Sequence, residues 1–296
     1  MTSDKSTKLV MKIKFSLIGG GVMGEALLSR LISGGVYQPQ EVIVSELLPS
    51  RQSYLKQKYQ VTVTSDNHWA FTEAQEVVLL AVKPQVFSTI AQELAEVSKI
   101  NNHYGCSGGI DNNGYNQSQP LLVSVLAGVS LRQLKGVFPY LPIIRVMTNT
   151  PALIGAGMTA ICFGDYTKSK DQEFAKKLFA TVGEVVEISE SLIDAVTGLS
   201  GSGPAYVALM LEALADGGVA AGLPRGIANQ LALQTVLGTA LLLNESKIHP
   251  AVLKDQVTSP GGTTIAGIAH LEKAAFRSAL IEAVMAAKIR SEELGK

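Results

Sequence analysis

Cysteine is scarce in this sequence. Cys106 and Cys162 are the two that occur among 296 residues, and neither belongs to a CxxC pair or stands at Cys/His ligand spacing. That argues against a secreted disulfide framework and against a structural zinc site. Histidine is scarce too: His68, His103, His249 and His270 are scattered and form no HExxH-like pair, so no protein-held metal is expected. Excess charge is missing, because 25 acidic residues balance 25 basic ones. No field of one sign would draw the molecule to nucleic acid or to an anionic membrane. Long apolar runs are interrupted early, as Glu212, Asp216 and a glycine pair interrupt 205–221. By this reading nothing reaches the ~20 uninterrupted apolar residues of a spanning helix. Residues 1–11 are polar and lack the apolar centre of a signal peptide. These absences predict a cytoplasmic protein with neither nucleic acid nor membrane as a partner.

What is present suits about two domains by length, and 47% of the residues are hydrophobic. The first half alternates β-branched runs with helical patterns, the signature of a parallel sheet with crossover helices. Candidate strands lie at 14–19, 41–46, 61–64, 77–83, 121–127, 143–148, 158–163 and 184–189. The run Val77-Val78-Leu79-Leu80 is continuously apolar, as in a strand covered on both faces. Residues 101–120, with four glycines and five asparagines, have no periodicity and are expected to form a polar surface insertion before the fifth strand.

From about residue 190 strand signals vanish. Helices are expected at 191–197, 203–221, 225–244, 250–258, 264–273 and 276–294. Leu231, Leu233, Val236, Leu237, Leu241, Leu242 and Leu243 fit no single stripe. A small domain cannot bury such a helix on every side, so the pattern predicts a homodimer through these helices. The expected organisation is a dinucleotide-binding domain over 11–189 and a helical substrate-binding and dimerisation domain over 190–296.

Gly19-Gly20-Gly21-Val22-Met23-Gly24 matches G-x-G-x-x-G, follows the first strand and opens the helix expected at 22–33. Gly19 permits the tight turn, Gly21 lets the backbone approach a pyrophosphate, and Gly24 lets the helix pack on the strand. The helix N-terminus offers free N–H groups and partial positive charge to the anion. This is the context of an α/β, Rossmann-type doubly wound sheet. At the end of the second strand Glu46 favours ribose hydroxyls and hence NADH, while Ser45 and Arg51 could take the extra phosphate of NADPH. Both cofactors stay open, with a lean to NADH. Lys83, after the fourth strand, lies on the edge that lines the ligand crevice in such sheets.

In the helical half, Ser259-Pro260-Gly261-Gly262-Thr263-Thr264 makes a turn just before a helix resumes. Backbone N–H groups converge there into an anion cradle of carboxylate size. A plain turn capped by Thr263 or Thr264 is the alternative. A second glycine-rich elbow spans 198–206; no strand precedes it and no histidine partner follows, which argues against a serine nucleophile.

The stretches LIGGGVMGEAL, AVKPQ, MTNTPA, TGLSGSGPAY and VTSPGGTTIAGI, in this order across nearly the whole chain, resemble the pyrroline-5-carboxylate reductase family. The 101–120 insertion is longer and more polar than the family's usual loop. The resemblance implies reduction of 1-pyrroline-5-carboxylate to proline, by hydride transfer from NADPH or NADH to the ring imine carbon. It implies a substrate carboxylate held by Ser259 and the N–H groups of Gly261, Gly262 and Thr263, with Thr264 hydrogen-bonding the ring nitrogen. Cofactor contacts are implied for Gly19, Gly20, Gly21, Val22, Met23, Gly24, Ser45 or Glu46, Asn67, Ala81, Val82, Lys83, Ala127 and Asn149. An interleaved helical dimer, with larger assemblies in many members, is implied as well. A β-hydroxyacid dehydrogenase would need an acid/base lysine on a helix of the second domain, where Lys247 and Lys254 look solvated. A non-catalytic NAD(P)-binding sensor would leave 259–264 without a purpose.

Overall fold

The computed structural model describes residues 12–104 and 119–295. Its sheet is built from β1 (Phe15–Ile18), β2 (Val42–Ser45), β3 (Thr62–Thr64), β4 (Val77–Leu80), β5 (Leu121–Ser124), β6 (Ile143–Met147), β7 (Gly157–Phe163) and β8 (Gly183–Glu187). The spatial order is β3-β2-β1-β4-β5-β6-β7-β8. Chain direction of the order reverses between β1 and β4, where an open sheet of this kind leaves its ligand crevice.

Period-two alternation explains why both faces are covered. Phe15, Leu17, Val77 and Leu79 belong to one buried cluster, together with Leu27, Leu28 and Leu31 of α1 (Val22–Ser33), Leu55 of α2 (Pro49–Tyr59) and Phe179 of α6 (Ser169–Ala180). Their neighbours Ile18, Val78 and Leu80 point the other way. They pack with Phe71 of α3 (Asn67–Glu73), Ile90 and Leu94 of α4 (Phe87–Tyr104), and Leu134 of α5 (Leu131–Val137). Phe71 also stacks on Phe138 at 5.5 Å between ring centres.

One pairing departs from the expected all-parallel sheet. β6 and β7 run antiparallel, with Arg145 opposite Cys162. The link from Met147 to Gly157 is too short for a crossover helix, since a parallel return takes about a dozen residues or more. A further difference concerns the 101–120 insertion: α4 continues through Tyr104, so the insertion's first residues are helical. Residues 105–118 of that expected insertion lie outside the described residues.

By contact the chain divides into two compact units, one reaching to Gly201 and including the chain again from Lys288, the other Ser202–Ala287. The boundary read from sequence at 189/190 therefore does not coincide with this division. Burial accounts for the shift. Glu190 takes the nearly buried Arg145 guanidinium at 2.9 Å and the Leu131 N–H at 2.6 Å. Ile193 of α7 (Ile193–Val196) sits in a cluster with Ala160 and Cys162. At the far end Gly295 packs so closely on Gly128 that a Cβ on Gly295 would stand 2.7 Å from the Gly128 carbonyl oxygen.

The second unit holds α8 (Gly203–Ala220), α9 (Arg225–Ser246), α10 (Pro250–Gln256), α11 (Thr263–Lys273) and most of α12 (Phe276–Leu294). α8 and α9 meet through small residues, Ala215, Ala228 and Ala232. Much of their apolar surface stays open: Leu209 is 67% and Leu233 58% exposed. Both line a groove of about 840 Å³ along α8 and α9. α9, at 22 residues with a stretch of mean hydropathy 1.3, is long and apolar enough to cross a membrane by length and composition, although it is not an uninterrupted apolar run. A window average tolerates the polar Asn229, Gln230 and Gln234 that break the uninterrupted run.

Candidate active site

The glycine loop joins β1 to α1 at the reversal in strand order. Gly19 has φ +103°, and a Cβ there would lie 2.7 Å from the Ala81 carbonyl oxygen, so β1 and β4 end against each other only with glycine. Gly24 is tighter, since its Cβ would meet the Gly19 carbonyl oxygen at 2.1 Å. Gly21 differs from both: no atom lies within 4 Å of where its Cβ would be. It caps α1 without any side-chain hydrogen bond. The first intrahelical bond is from Glu25 to Gly21 at 2.8 Å, which leaves the N–H groups of Val22, Met23 and Gly24 without a partner among the described residues. Open space before unpaired N–H groups at a helix N-terminus fits a pyrophosphate.

Residues of three other elements surround this loop. Glu46, following β2, accepts from the Gly20 N–H at 3.1 Å and from the Leu48 N–H at 3.0 Å. Ser45 is buried and donates to Asn67 Oδ1 at 2.7 Å, while Asn67 Nδ2 donates to Glu93 at 2.8 Å. Ala81 donates its N–H to Ile18 at 2.8 Å. Thus Gly19, Gly20, Gly21, Val22, Met23, Gly24, Ser45, Glu46, Asn67 and Ala81 gather at one sheet edge. Val82 is half-buried beside them and Lys83 is exposed. Ala127 follows β5 on the same edge. Asn149 follows β6, but its side chain is committed: Nδ2 donates to Ser200 Oγ at 3.2 Å and Oδ1 accepts from the Met158 N–H at 2.9 Å.

Sequence reasoning missed a polar cluster beside the loop. Glu25, in the first turn of α1, accepts from Tyr59 at 2.7 Å, Lys58 and Tyr54 at 2.9 Å each, and Arg51. Arg51 Nε also donates to the Gly20 carbonyl at 2.7 Å. Burial alone would raise the Glu25 carboxyl, but the donors from Tyr59, Lys58, Arg51 and Tyr54 outweigh it and hold it at about 2. The spacing was visible: 51, 54, 58 and 59 share one face of a helix.

In the second unit the 259–264 turn takes an open shape. Gly261 has φ +69° with no atom near its absent Cβ, whereas a Cβ on Gly262 would stand 2.4 Å from Ser259 Oγ. Gly262 is the N-cap of α11 and has no side-chain cap, so neither Thr263 nor Thr264 plays the capping part considered from sequence. The Gly262 N–H donates to the Ser259 carbonyl at 3.1 Å. The turn itself uses this donor. The N–H groups of Gly261, Thr263 and Thr264, and the hydroxyls of Ser259, Thr263 and Thr264, have no partner among the described residues. Lys247 bonds Asn244 and Lys254 pairs with Asp255, both at the surface. No group of metal-ligating side chains occurs among the described residues.

Residues 190–294 match the family model for pyrroline-5-carboxylate reductase dimerisation, and residues 14–102 match that for NADP oxidoreductase, coenzyme F420-dependent. A pyrroline-5-carboxylate reductase of Synechocystis sp. is 56% identical over 97% of this chain and all of that protein. The chain belongs to the pyrroline-5-carboxylate reductase family. A plant member, from Arabidopsis thaliana, is 41% identical over 96% of each chain. The fold agrees with solved members of the family. A Coxiella burnetii pyrroline-5-carboxylate reductase superposes with TM-score 0.80 at 32% identity, over 96% of this chain and 99% of that one. The Plasmodium falciparum pyrroline carboxylate reductase, solved with NADP bound, gives 0.81 at 29% identity over 97% and 99%. Membership makes this an oxidoreductase with an NAD(P) domain, and it gives the open apolar faces of α8 and α9 a use in dimerisation.

Proposed function

We propose that this chain reduces 1-pyrroline-5-carboxylate to L-proline with NAD(P)H, the last step of proline biosynthesis, as a cytoplasmic homodimer. The observation that carries the reading is the uncapped start of α11, where three hydroxyls and free N–H groups surround a glycine turn. Its donors suit a carboxylate, and the Rossmann edge supports a dinucleotide.

The cofactor supplies a hydride to the ring imine carbon. The residues of this chain do the remaining work. Ser259 and the N–H groups of Gly261 and Thr263 bind the substrate carboxylate, and Thr264 orients the ring nitrogen. Gly19, Gly20, Gly21, Val22, Met23 and Gly24 bind the pyrophosphate; Ser45, Glu46 and Asn67 attend the adenosine ribose. Ala81, Val82, Lys83, Ala127 and Asn149 line the strand ends toward the nicotinamide. A protonated imine is already electrophilic, so positioning and exclusion of water account for most of the catalysis. Neither an acid/base histidine nor a metal is required. A hydroxyl at Thr264 stabilises the charge that changes on nitrogen during transfer. The apolar groove along α8 and α9 is covered by a second copy, and scarce cysteine accords with a reducing compartment.

The test is to follow absorbance of NADH and of NADPH with purified protein and 1-pyrroline-5-carboxylate. Oxidation that depends on the substrate is expected. Binding of a cofactor without any oxidation would sink the reductase reading.

A further inference from the structure

We propose that this enzyme prefers NADH to NADPH, with two carboxylates performing different tasks. Glu46, pinned beside Gly20, excludes a 2′-phosphate, and Glu25 withholds the Arg51 guanidinium from one. The proposal rests on the dinucleotide reading of the glycine loop and goes further, to the choice between two cofactors.

A dinucleotide laid on the α1 N-terminus places its adenosine ribose at the end of β2. Every group there that could hold a phosphate is otherwise engaged. The Ser45 hydroxyl is 1% exposed and gives its proton to Asn67. Asn67 gives its amide to Glu93. Arg51 lies across the loop, bonded to the Gly20 carbonyl and to Glu25, with its guanidinium 4.9 Å above the Tyr54 ring. Lys58 is bound to the same Glu25 carboxylate at 2.9 Å. Arg51 and Lys58 are therefore both held by the one Glu25 carboxylate, while Glu46 pairs with no cation among the described residues.

Glu46 is also fixed in place. Each of its oxygens accepts one backbone N–H, from Gly20 and from Leu48, and each retains a lone pair for a ribose hydroxyl. A 2′-phosphate brings about two negative charges to the same spot, and like charges at close range oppose binding. Glu46 is a direct contact in this scheme. Glu25 is a positioning residue, because it acts through Arg51.

Isothermal titration of the full-length protein with NADH and with NADPH, without imine, reads the preference apart from turnover. NADPH is expected to bind about tenfold or more weakly. E46Q keeps an acceptor for the Gly20 N–H but removes the charge, and E25Q frees Arg51; each is expected to tighten NADPH several-fold relative to NADH. R51M, which needs no freed guanidinium, should leave the wild-type ratio as it is. Equal affinities in the wild type, unchanged ratios in both glutamine variants, or NADPH selectively weakened in R51M would each overturn the proposal. Failure of both cofactors to bind would instead reject the dinucleotide reading beneath it.

Discussion

Ser291 donates its hydroxyl to Asp194 at 2.6 Å, across 97 positions of chain. Ser291 is 3% exposed, so water cannot easily replace the bond. A hydrogen bond of this kind contributes about 0.5–1.5 kcal/mol net, and leaving a buried partner unpaired costs about 1–3 kcal/mol. S291A is expected to lower unfolding stability by about that amount in urea titration, with turnover at saturation retained. A loss under ~0.5 kcal/mol would show that the contact is incidental.

Gly21 and Gly24 separate binding from folding. G24A forces a methyl group against the Gly19 carbonyl and should cost about 1–3 kcal/mol by overpacking, read as a lower melting temperature. In G21A the methyl meets no protein atom, so the melting temperature should hold while dinucleotide affinity falls about tenfold. Equal effects of the two changes on melting would contradict the assignment of Gly21 to the ligand side.

Thr264→Ala tests the chemistry. Removing one donor at a reacting centre typically costs about 100-fold or more when it faces developing charge. Here a fall in kcat/KM for the imine of about 10–100-fold is expected, with NADH affinity by titration nearly kept. Unchanged turnover would remove Thr264 from the mechanism.

The groove along α8 and α9 predicts assembly. Light scattering should give at least twice the 31.3 kDa of one chain. Replacing Leu209 and Leu233 together by aspartate places charges on the surface that a second copy covers. A shift toward single chains is expected, and a mass unaffected by the double change would move the interface elsewhere.

Glu25 sets a pH dependence. Its carboxyl titrates at about 2 rather than at the ordinary 4.5. A depressed acid contributes stability that is complete above the unfolded value and lost as pH falls through the folded one. The difference in melting temperature between wild type and E25Q should therefore shrink as pH falls from about 4.5 toward 2. A constant difference across that window would mean that the charge is irrelevant.

Local signals made most of the fold legible. Each of the eight strands overlaps a run expected from sequence, most clearly the central ones, because strands covered on both faces must be apolar. The glycine loop could be read because a motif in strand–turn–helix context has one geometry. Less was legible where the outcome depends on distant partners. Antiparallel β6–β7 follows from a short link that no periodicity reports. Glu46 looked like a ribose ligand, and only its contacts to Gly20 and Leu48 reveal that it also braces the loop. At 259–264 the residue types pointed to an anion cradle, but backbone geometry decides that Gly262 donates to Ser259 rather than outward.

The return of the chain from Lys288 into the first unit has a consequence for synthesis. Domains usually fold in order as they leave the ribosome. Here the final turns of α12, with Ser291 and Gly295, are made only after α8 to α11, long after the last strand of the sheet. The first unit therefore cannot close its last contacts until the helical unit has been made, as an insert between two stretches of the same body.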